Sequence, residues 1–86
     1  MFCGSALHEF KRLPKDQAER IYAALNILKE NPFPSGSEKL KGIPLYRLRI
    51  GKYRAVYAIH PDSKEIEVVQ VGHRKDIYKK LRSLLF

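Results

Sequence analysis

Arginine side chains cluster in the second half of this 86-residue sequence, at spacings that suit the recognition of phosphate. Arg47, Arg49 and Arg54 lie close together, and Arg74 follows His73 near the end of the chain. A guanidinium group offers a planar fork of N–H donors and stays charged at any physiological pH. His73 adds an imidazole, a group that suits proton transfer near neutrality. These residue types together indicate a site for a phosphate-containing ligand.

The distribution of charge supports an anionic partner. The formal net charge is +8, and residues 1–44 hold seven basic and five acidic side chains against ten and four in residues 45–86. A concentrated positive field points to nucleic acid ahead of a membrane surface, because no amphipathic lipid-facing stretch accompanies it. The alternative is that the charge serves solubility alone.

Length and composition exclude several classes of protein. We expect a single domain over residues 1–86 with one small core, so any active site must be a shallow surface cleft. No apolar run is long enough to span a bilayer. One cysteine, Cys3, cannot form an internal disulfide, which favours a reducing, cytoplasmic location. The three histidines lack metal-ligand spacing, so no metal and no cofactor is expected.

The first half of the chain has the periodicity of two helices. Apolar residues recur at helical spacing from Ser5 to Leu13, with Ser5 as the N-cap, and again from Asp16 to Glu30, where Asp16 and Glu19 suit a capping box. Glycine, proline and serine predict a loop over Phe33 to Gly42.

The second half changes to the alternation of β-strands. Strands are predicted from Tyr46 to Ile50, Tyr53 to His60 and Glu65 to Val71, followed by a short helix from Asp76 to Leu85. The fold class is therefore α+β. A helical hairpin packs on a small antiparallel sheet of three or four strands, with a short C-terminal helix.

A two-residue turn at Gly51 and Lys52 determines which side chains share a face. Arg49 then faces Arg54, on the face opposite the apolar side chains that pack on the helices. Like charges directly opposite each other destabilise an antiparallel pair, whereas an anionic ligand would favour the arrangement. A four-residue turn at residues 61–64 brings Val71 near Arg54, so Arg74 emerges beside the same cluster. The alternative is a solvated basic face that carboxylates such as Glu67 partly neutralise.

Two motifs resemble a known family. The stretch LKGIPLYRLRIGKYRAVYAI (residues 40–59), followed by VGHRKDIY (residues 71–78), resembles the RelE toxins of bacterial and archaeal toxin–antitoxin systems. The opening SALHEFKRLPKDQAERI is similar to that family's first helical segment, so the resemblance covers about residues 5–80. RelE-like chains usually begin with a strand, for which only Met1 to Gly4 is available here.

The resemblance implies an activity and its partners. Similar proteins are metal-independent endoribonucleases that cut mRNA in the ribosomal A site and are neutralised by a RelB-like antitoxin. We therefore expect mRNA, the ribosome and a cognate antitoxin as partners, a toxin–antitoxin hetero-oligomer, a monomer when free, and no membrane association.

The resemblance also implies roles for individual residues. Arg54 and Arg74 match arginines associated with the scissile phosphate, and Tyr78 matches a tyrosine assigned as general base. Without the resemblance, Tyr78 would be a core residue. The six catalytic candidates are Arg47, Arg49, Arg54, His73, Arg74 and Tyr78. The candidates for RNA binding are Lys41, Lys52, Lys75 and Lys79. Arg12, Lys41 and Lys75 could extend the RNA track and rank below the catalytic candidates.

Three questions stay open from the sequence. Either Tyr78 or His73 could take the proton from the RNA 2′-hydroxyl. A ParE-like inhibitor of DNA gyrase and a non-catalytic RNA-binding module are the alternative functions. A metal-dependent nuclease is disfavoured, because no convergent carboxylate set is found among Asp62, Glu65, Glu67 and Asp76.

Overall fold

In the part of the chain that the structure describes, helices of 8 and 13 residues and a four-stranded antiparallel sheet are the main elements of the fold. The structure is a computed structural model that describes residues 2–63 and 65–79. The elements are α1 (Gly4–Lys11), α2 (Lys15–Ile27), β1 (Ser37–Lys39), β2 (Tyr46–Ile50), β3 (Tyr53–His60) and β4 (Glu65–His73), with strand order β1-β2-β3-β4. Residues 77–79 are helical, and the rest of the predicted C-terminal helix lies outside the described residues. The α+β fold class is confirmed.

The helix ends differ from the sequence predictions. The first helix begins at Gly4 with Cys3 as its N-cap, so Ser5 is not the cap. The second helix follows Pro14 and ends at Ile27, three residues early, and no side chain caps its first turn. The capping box was therefore wrong. The N-cap is Pro14, which has no side-chain acceptor, and Asp16 lies within the first turn instead of preceding it.

The segment predicted as a loop contains strand β1. Its three residues pair with β2 in the register Ser37↔Leu48, Glu38↔Arg47 and Lys39↔Tyr46. The strand is short and polar, as edge strands commonly are, so its own residues carry little apolar alternation. Pairing with β2 makes it a strand, and the prediction of a loop was wrong for these residues.

The apolar face of the sheet packs against the helices. Leu48, Ala55 and Tyr57 are buried in one cluster with Ile21 and Leu25 of α2. These are the faces that the strand and helix periodicities predicted. Burying this surface supplies the main favourable term in folding.

A β-bulge interrupts the pairing of β3 with β4. Tyr57 pairs with Val68 but Val56 pairs with Gln70, so Val69 is an extra residue on β4. The side chains beyond the bulge therefore change faces relative to an uninterrupted ladder. Arg54 lies opposite Gly72, one residue beyond the predicted neighbour Val71.

The N-terminal segment forms a single bridge beside this bulge. Phe2 pairs in parallel with Val68, and the Cys3 backbone N–H donates to the Val68 carbonyl at 2.9 Å. The Phe2 ring lies on Phe10, with centroids 5.0 Å apart. Residues 2–3 therefore occupy the outer edge of β4 as one bridge, without a full strand.

Candidate active site

Three arginines share the sheet face that is turned away from the helices, which we call the basic face. Arg49 pairs with Arg54 across the β2–β3 hairpin, and Arg47 lies two residues before Arg49 on β2. Gly51 has φ of 59°, which a tight hairpin turn requires and glycine adopts without strain. The predicted turn, the register and the shared face are all confirmed.

A small second core determines the position of Tyr78. Val56, the cross-strand partner of Arg47, is fully buried against Ile77, with Leu40 and Leu45 around them. Because Ile77 is anchored there, the next residue, Tyr78, lies beside Arg47. An Nη1 hydrogen of Arg47 is donated to the Tyr78 hydroxyl, and the guanidinium carbon lies 6.0 Å from the ring centroid. Arg47 and Tyr78 are therefore in direct contact within the candidate site.

Glu38 joins this contact from the neighbouring strand β1. Its carboxylate accepts a hydrogen bond from Nη2 of Arg47, so the arginine fork is shared between a phenol and an acid. The hydrogen bond with Tyr78, with a smaller contribution from Glu38, raises the pKa of Arg47 above its ordinary value. A depression of about 210 Å³ lies beside the pair, lined by residues 36–38 with Arg47 and Arg49.

The other end of the basic face is at the β2–β3 turn. Arg54 donates through Nη1 to the carbonyls of Gly51, at 2.9 Å, and Tyr53, at 2.8 Å. The Arg74 backbone N–H donates to the Lys52 carbonyl at 2.8 Å, which holds the chain after β4 against the turn. The Arg74 side chain is exposed. The backbone at Arg74 therefore lies against the same turn that the Arg54 guanidinium contacts.

His73 lies on the opposite face of the sheet. It pairs with Tyr53, whose ring packs in the helix-facing core, and the two rings meet edge to face with centroids 5.8 Å apart. The bulge at Val69 causes this placement, because an uninterrupted ladder would have turned His73 toward Arg54. The structure therefore separates His73 from Tyr78.

The predicted RNA-binding lysines are all exposed but are dispersed. They are Lys41, Lys52, Lys75 and Lys79. Lys52 lies in the hairpin turn, and the Lys75 backbone N–H donates to Nδ1 of His73 at 3.2 Å. Arg12 lies at the end of α1, where its side chain is 3.8 Å from Glu9. Glu67, offered as a neutralising partner, pairs instead with His60 at 2.9 Å.

Sequence reasoning missed two residues of this region. Glu38 lies in a segment whose glycine and serine content hides a strand, and only the β1–β2 register sets it opposite Arg47. Arg20 belongs to α2, yet its guanidinium covers Gly51 in the hairpin turn. No local pattern links residues so far apart in the chain, so no sequence signal could have found either contact.

Among residues 2–63 and 65–79, no group of three or more His, Cys, Asp or Glu side chains could hold a metal ion. None of the helices in this part of the chain is long and apolar enough to cross a membrane.

Comparison with known proteins identifies the class of protein. Residues 2–78 match the family model of the ParE toxin of the type II toxin–antitoxin system parDE. The chain is 32% identical over 77 residues to a RelE1 toxin candidate of Methanocaldococcus jannaschii, covering 85% of this chain and 86% of that protein.

Solved structures agree with this match. The RelE–RelB complex of Pyrococcus horikoshii superposes with a TM-score of 0.74 at 28% identity, covering 85% of this chain and 90% of that one. The RelBE complex of E. coli gives 0.73 at 31% identity, with 84% and 90% covered. This fold and these motifs define a toxin of a type II toxin–antitoxin system. The chain belongs to the ParE toxin family within the RelE/ParE superfamily, and the resemblance that the motifs indicated is confirmed.

Proposed function

We propose that this toxin is a metal-independent endoribonuclease that cleaves mRNA in the ribosomal A site and so inhibits translation. The observation that carries the proposal is the basic face, which Arg47, Arg49 and Arg54 share and where Arg47 contacts the Tyr78 hydroxyl. The relatives named RelE support the same assignment.

The proposed chemistry uses the nucleophile that RNA itself carries. The 2′-oxygen attacks the adjacent phosphorus, the bond to the 5′-oxygen breaks, and the products are a 2′,3′-cyclic phosphate and a free 5′-hydroxyl. The 2′-hydroxyl loses its proton to a base and the 5′-oxygen gains one. Between these proton transfers the phosphorane carries extra negative charge, which arginine N–H groups already in position would stabilise.

Tyr78 is the base that the geometry favours over His73. The Tyr78 hydroxyl accepts a hydrogen bond from Arg47, so it lies beside the arginines of the basic face that are assigned to the RNA. His73 lies on the other face of the sheet, with its ring against Tyr53. Arg54 and Arg74 are assigned to the phosphate, and Arg47 and Arg49 to the charge of the phosphorane and the flanking RNA.

Cleavage in a translating extract tests the proposal. Primer extension should reveal new 5′ ends on mRNA with the unmodified toxin, and Arg54→Ala and Arg74→Ala should each reduce the cleavage rate by about 100-fold or more. Lys11→Ala, which removes one exposed charge from α1, is the matched control and should cleave normally. Intact mRNA with the unmodified toxin would refute the proposal.

The metal-independent step has its own test. A phosphorothioate at the scissile position weakens a Mg²⁺ contact, and Mn²⁺ or Cd²⁺ restores the rate when such a contact matters. We expect no rescue by either ion. Rescue would show that a metal takes part.

A cognate RelB-like antitoxin is the proposed protein partner, because relatives of this chain are solved as RelE–RelB complexes. Expression of the toxin should arrest growth, and co-expression of the protein encoded beside it should reverse the arrest. Light scattering should show a monomer for the free toxin and a hetero-oligomer for the pair.

Inhibition of DNA gyrase is the second candidate, and the match to the ParE family model favours it. A supercoiling assay with purified gyrase separates the two activities. Inhibition of supercoiling together with intact mRNA would transfer the assignment to gyrase. Salt-sensitive RNA binding without cleavage, gyrase inhibition or growth arrest would instead indicate a non-catalytic RNA-binding module.

A further inference from the structure

A second cleft adjoins the β2–β3 turn on the helix side, opposite the basic face. Its volume is about 300 Å³, enough for a phosphate group with part of a sugar. It is lined by Gln17, Arg20, Gly51, Lys52, Tyr53 and His73. The cleft is therefore rich in hydrogen-bond donors.

Because Gly51 has no side chain, the guanidinium of Arg20 can lie close against the hairpin turn. A Cβ atom placed on Gly51 would lie 3.0 Å from Nη1 and 3.2 Å from Cζ of Arg20, so the guanidinium covers that position closely. Within the described residues, no carboxylate forms an ion pair with Arg20. An arginine positioned over a turn with its charge unpaired is suited to an external anion.

The hydrogen bond at His73 fixes which ring nitrogen can serve a ligand. Nδ1 accepts from the Lys75 backbone N–H at 3.2 Å, so in the neutral ring the proton is on Nε2. The edge-to-face contact with Tyr53 restrains the ring. His73 therefore offers Nε2–H as a donor without needing to be protonated.

We propose that this cleft binds a backbone phosphate of RNA, through the Arg20 guanidinium, the His73 Nε2–H and the Lys52 ammonium. The other side of the same turn carries Arg54, so one RNA strand crossing the tip of the hairpin can place a phosphate on each side. This inference rests on the proposed function for its choice of RNA. It gives His73 a binding role on the helix side in place of proton transfer.

Binding of an RNA that cannot be cleaved tests the inference separately from catalysis. The probe is a single-stranded 2′-O-methyl oligonucleotide, whose affinity is measured by fluorescence anisotropy over a range of salt concentrations. Arg20→Gln should weaken binding about tenfold, as expected for a charged hydrogen-bonding group. It should also reduce the slope of log affinity against log salt by about 0.7, the contribution of one phosphate contact on a single strand.

The control variant has the same change of charge elsewhere. Lys11→Gln removes an exposed cation from α1 and should change affinity and slope far less. Equal effects of Arg20→Gln and Lys11→Gln would overturn the inference, because they would show only a response to net charge. Arg20→Lys keeps the charge but not the fork, so it should recover the salt slope and only part of the affinity.

His73 provides a second, independent measurement. His73→Ala should weaken RNA binding, whereas His73→Gln, whose amide N–H can replace Nε2–H, should restore much of it. Failure of glutamine to improve on alanine would count against the donor role. The oligonucleotide cannot be cleaved, so these binding measurements do not depend on whether the protein is a ribonuclease. If Arg20→Gln leaves the affinity unchanged, the proposed phosphate site in the cleft is refuted, even if the protein cleaves mRNA.

Discussion

The two faces of the sheet differ in what holds them together. On the helix face, Tyr57 and Ala55 are fully buried beneath Ile21 and Leu25. On the basic face, Val56 and Ile77 form a small core, and the neighbouring positions carry charged side chains. Because the helix face supplies most of the buried apolar surface, the basic face can keep a repulsive pair such as Arg49 and Arg54. Stability and the proposed chemistry are therefore largely separable, and the following variants test that separation.

The largest effect is expected in the helix-facing core. Leu25 is fully buried, so Leu25→Ala should lower the free energy of unfolding by about 2–5 kcal/mol through lost burial and a residual cavity. Urea denaturation measures this change. Cleavage per folded molecule should be unchanged at low temperature. A specific loss of cleavage in the folded fraction would show that the two faces are coupled.

At Ile77, a substitution should affect both stability and cleavage. Ile77→Ala should cost about 2 kcal/mol, near the lower end for such substitutions, because its core is small. It should also reduce cleavage, since Ile77 anchors the segment that sets Tyr78 beside Arg47. The same two assays report both effects, and Ile77→Val is the conservative control. Full cleavage by the alanine variant would contradict the anchoring role.

Tyr57 should make the stability of the protein depend on pH. Its hydroxyl donates to the Pro32 carbonyl at 2.7 Å, so Tyr57→Phe should cost about 0.5–1.5 kcal/mol at neutral pH. Burial raises the pKa of Tyr57. Its contribution is therefore complete below the unfolded pKa of about 10 and is lost as pH rises through the folded value. Above pH 10 the wild type should lose stability faster than the phenylalanine variant in thermal unfolding, and parallel curves would refute this.

Replacing Arg49 should stabilise the fold but weaken RNA binding. Arg49→Gln removes the like-charge pair with Arg54, so it should raise the free energy of unfolding by about 0.2–1 kcal/mol. The same variant should bind RNA more weakly. Urea denaturation at low and high salt provides the check, because salt should shrink the gain. A destabilised variant would show that Arg49 contributes to the fold.

The smallest effect on stability is expected at Glu38. Its side chain is 67% exposed, so Glu38→Gln should change the free energy of unfolding by less than about 1 kcal/mol. Arg47 would lose its acidic neighbour, and RNA binding should become tighter. Anisotropy with the inert oligonucleotide measures this change. Weaker binding by the glutamine variant would mean that Glu38 helps to hold Arg47 in its binding position.

Local signals in the sequence predicted the hairpin with its register. Gly51 marks a two-residue turn, and the apolar alternation in β2 and β3 leaves one register that buries Leu48 with Ala55. The pairing Arg49↔Arg54 follows from those two facts alone. The α+β class and the family resemblance were likewise available from pattern and motif.

Features that depend on contacts between distant segments could not be predicted. Strand β1 exists because β2 offers an edge, and Glu38 meets Arg47 only through that pairing. The bulge at Val69 left no signal in a run of β-branched residues, yet it changed the face on which His73 lies. A single inserted residue reverses the alternation of side chains along a strand, so a one-residue error in the predicted register places a side chain on the wrong face of the sheet.

The sequence by itself determined the fold class, the superfamily and the strands that carry the arginines, because periodicity, turn residues and motifs are local in the chain. Only the tertiary structure decided which groups meet. Ile77 packing on Val56 brings Tyr78 to Arg47, Gly51 admits Arg20, and the Val69 bulge turns His73 toward the helices. Each of these features depends on how separate segments pack or pair, and packing and register are not written in any local pattern of residues.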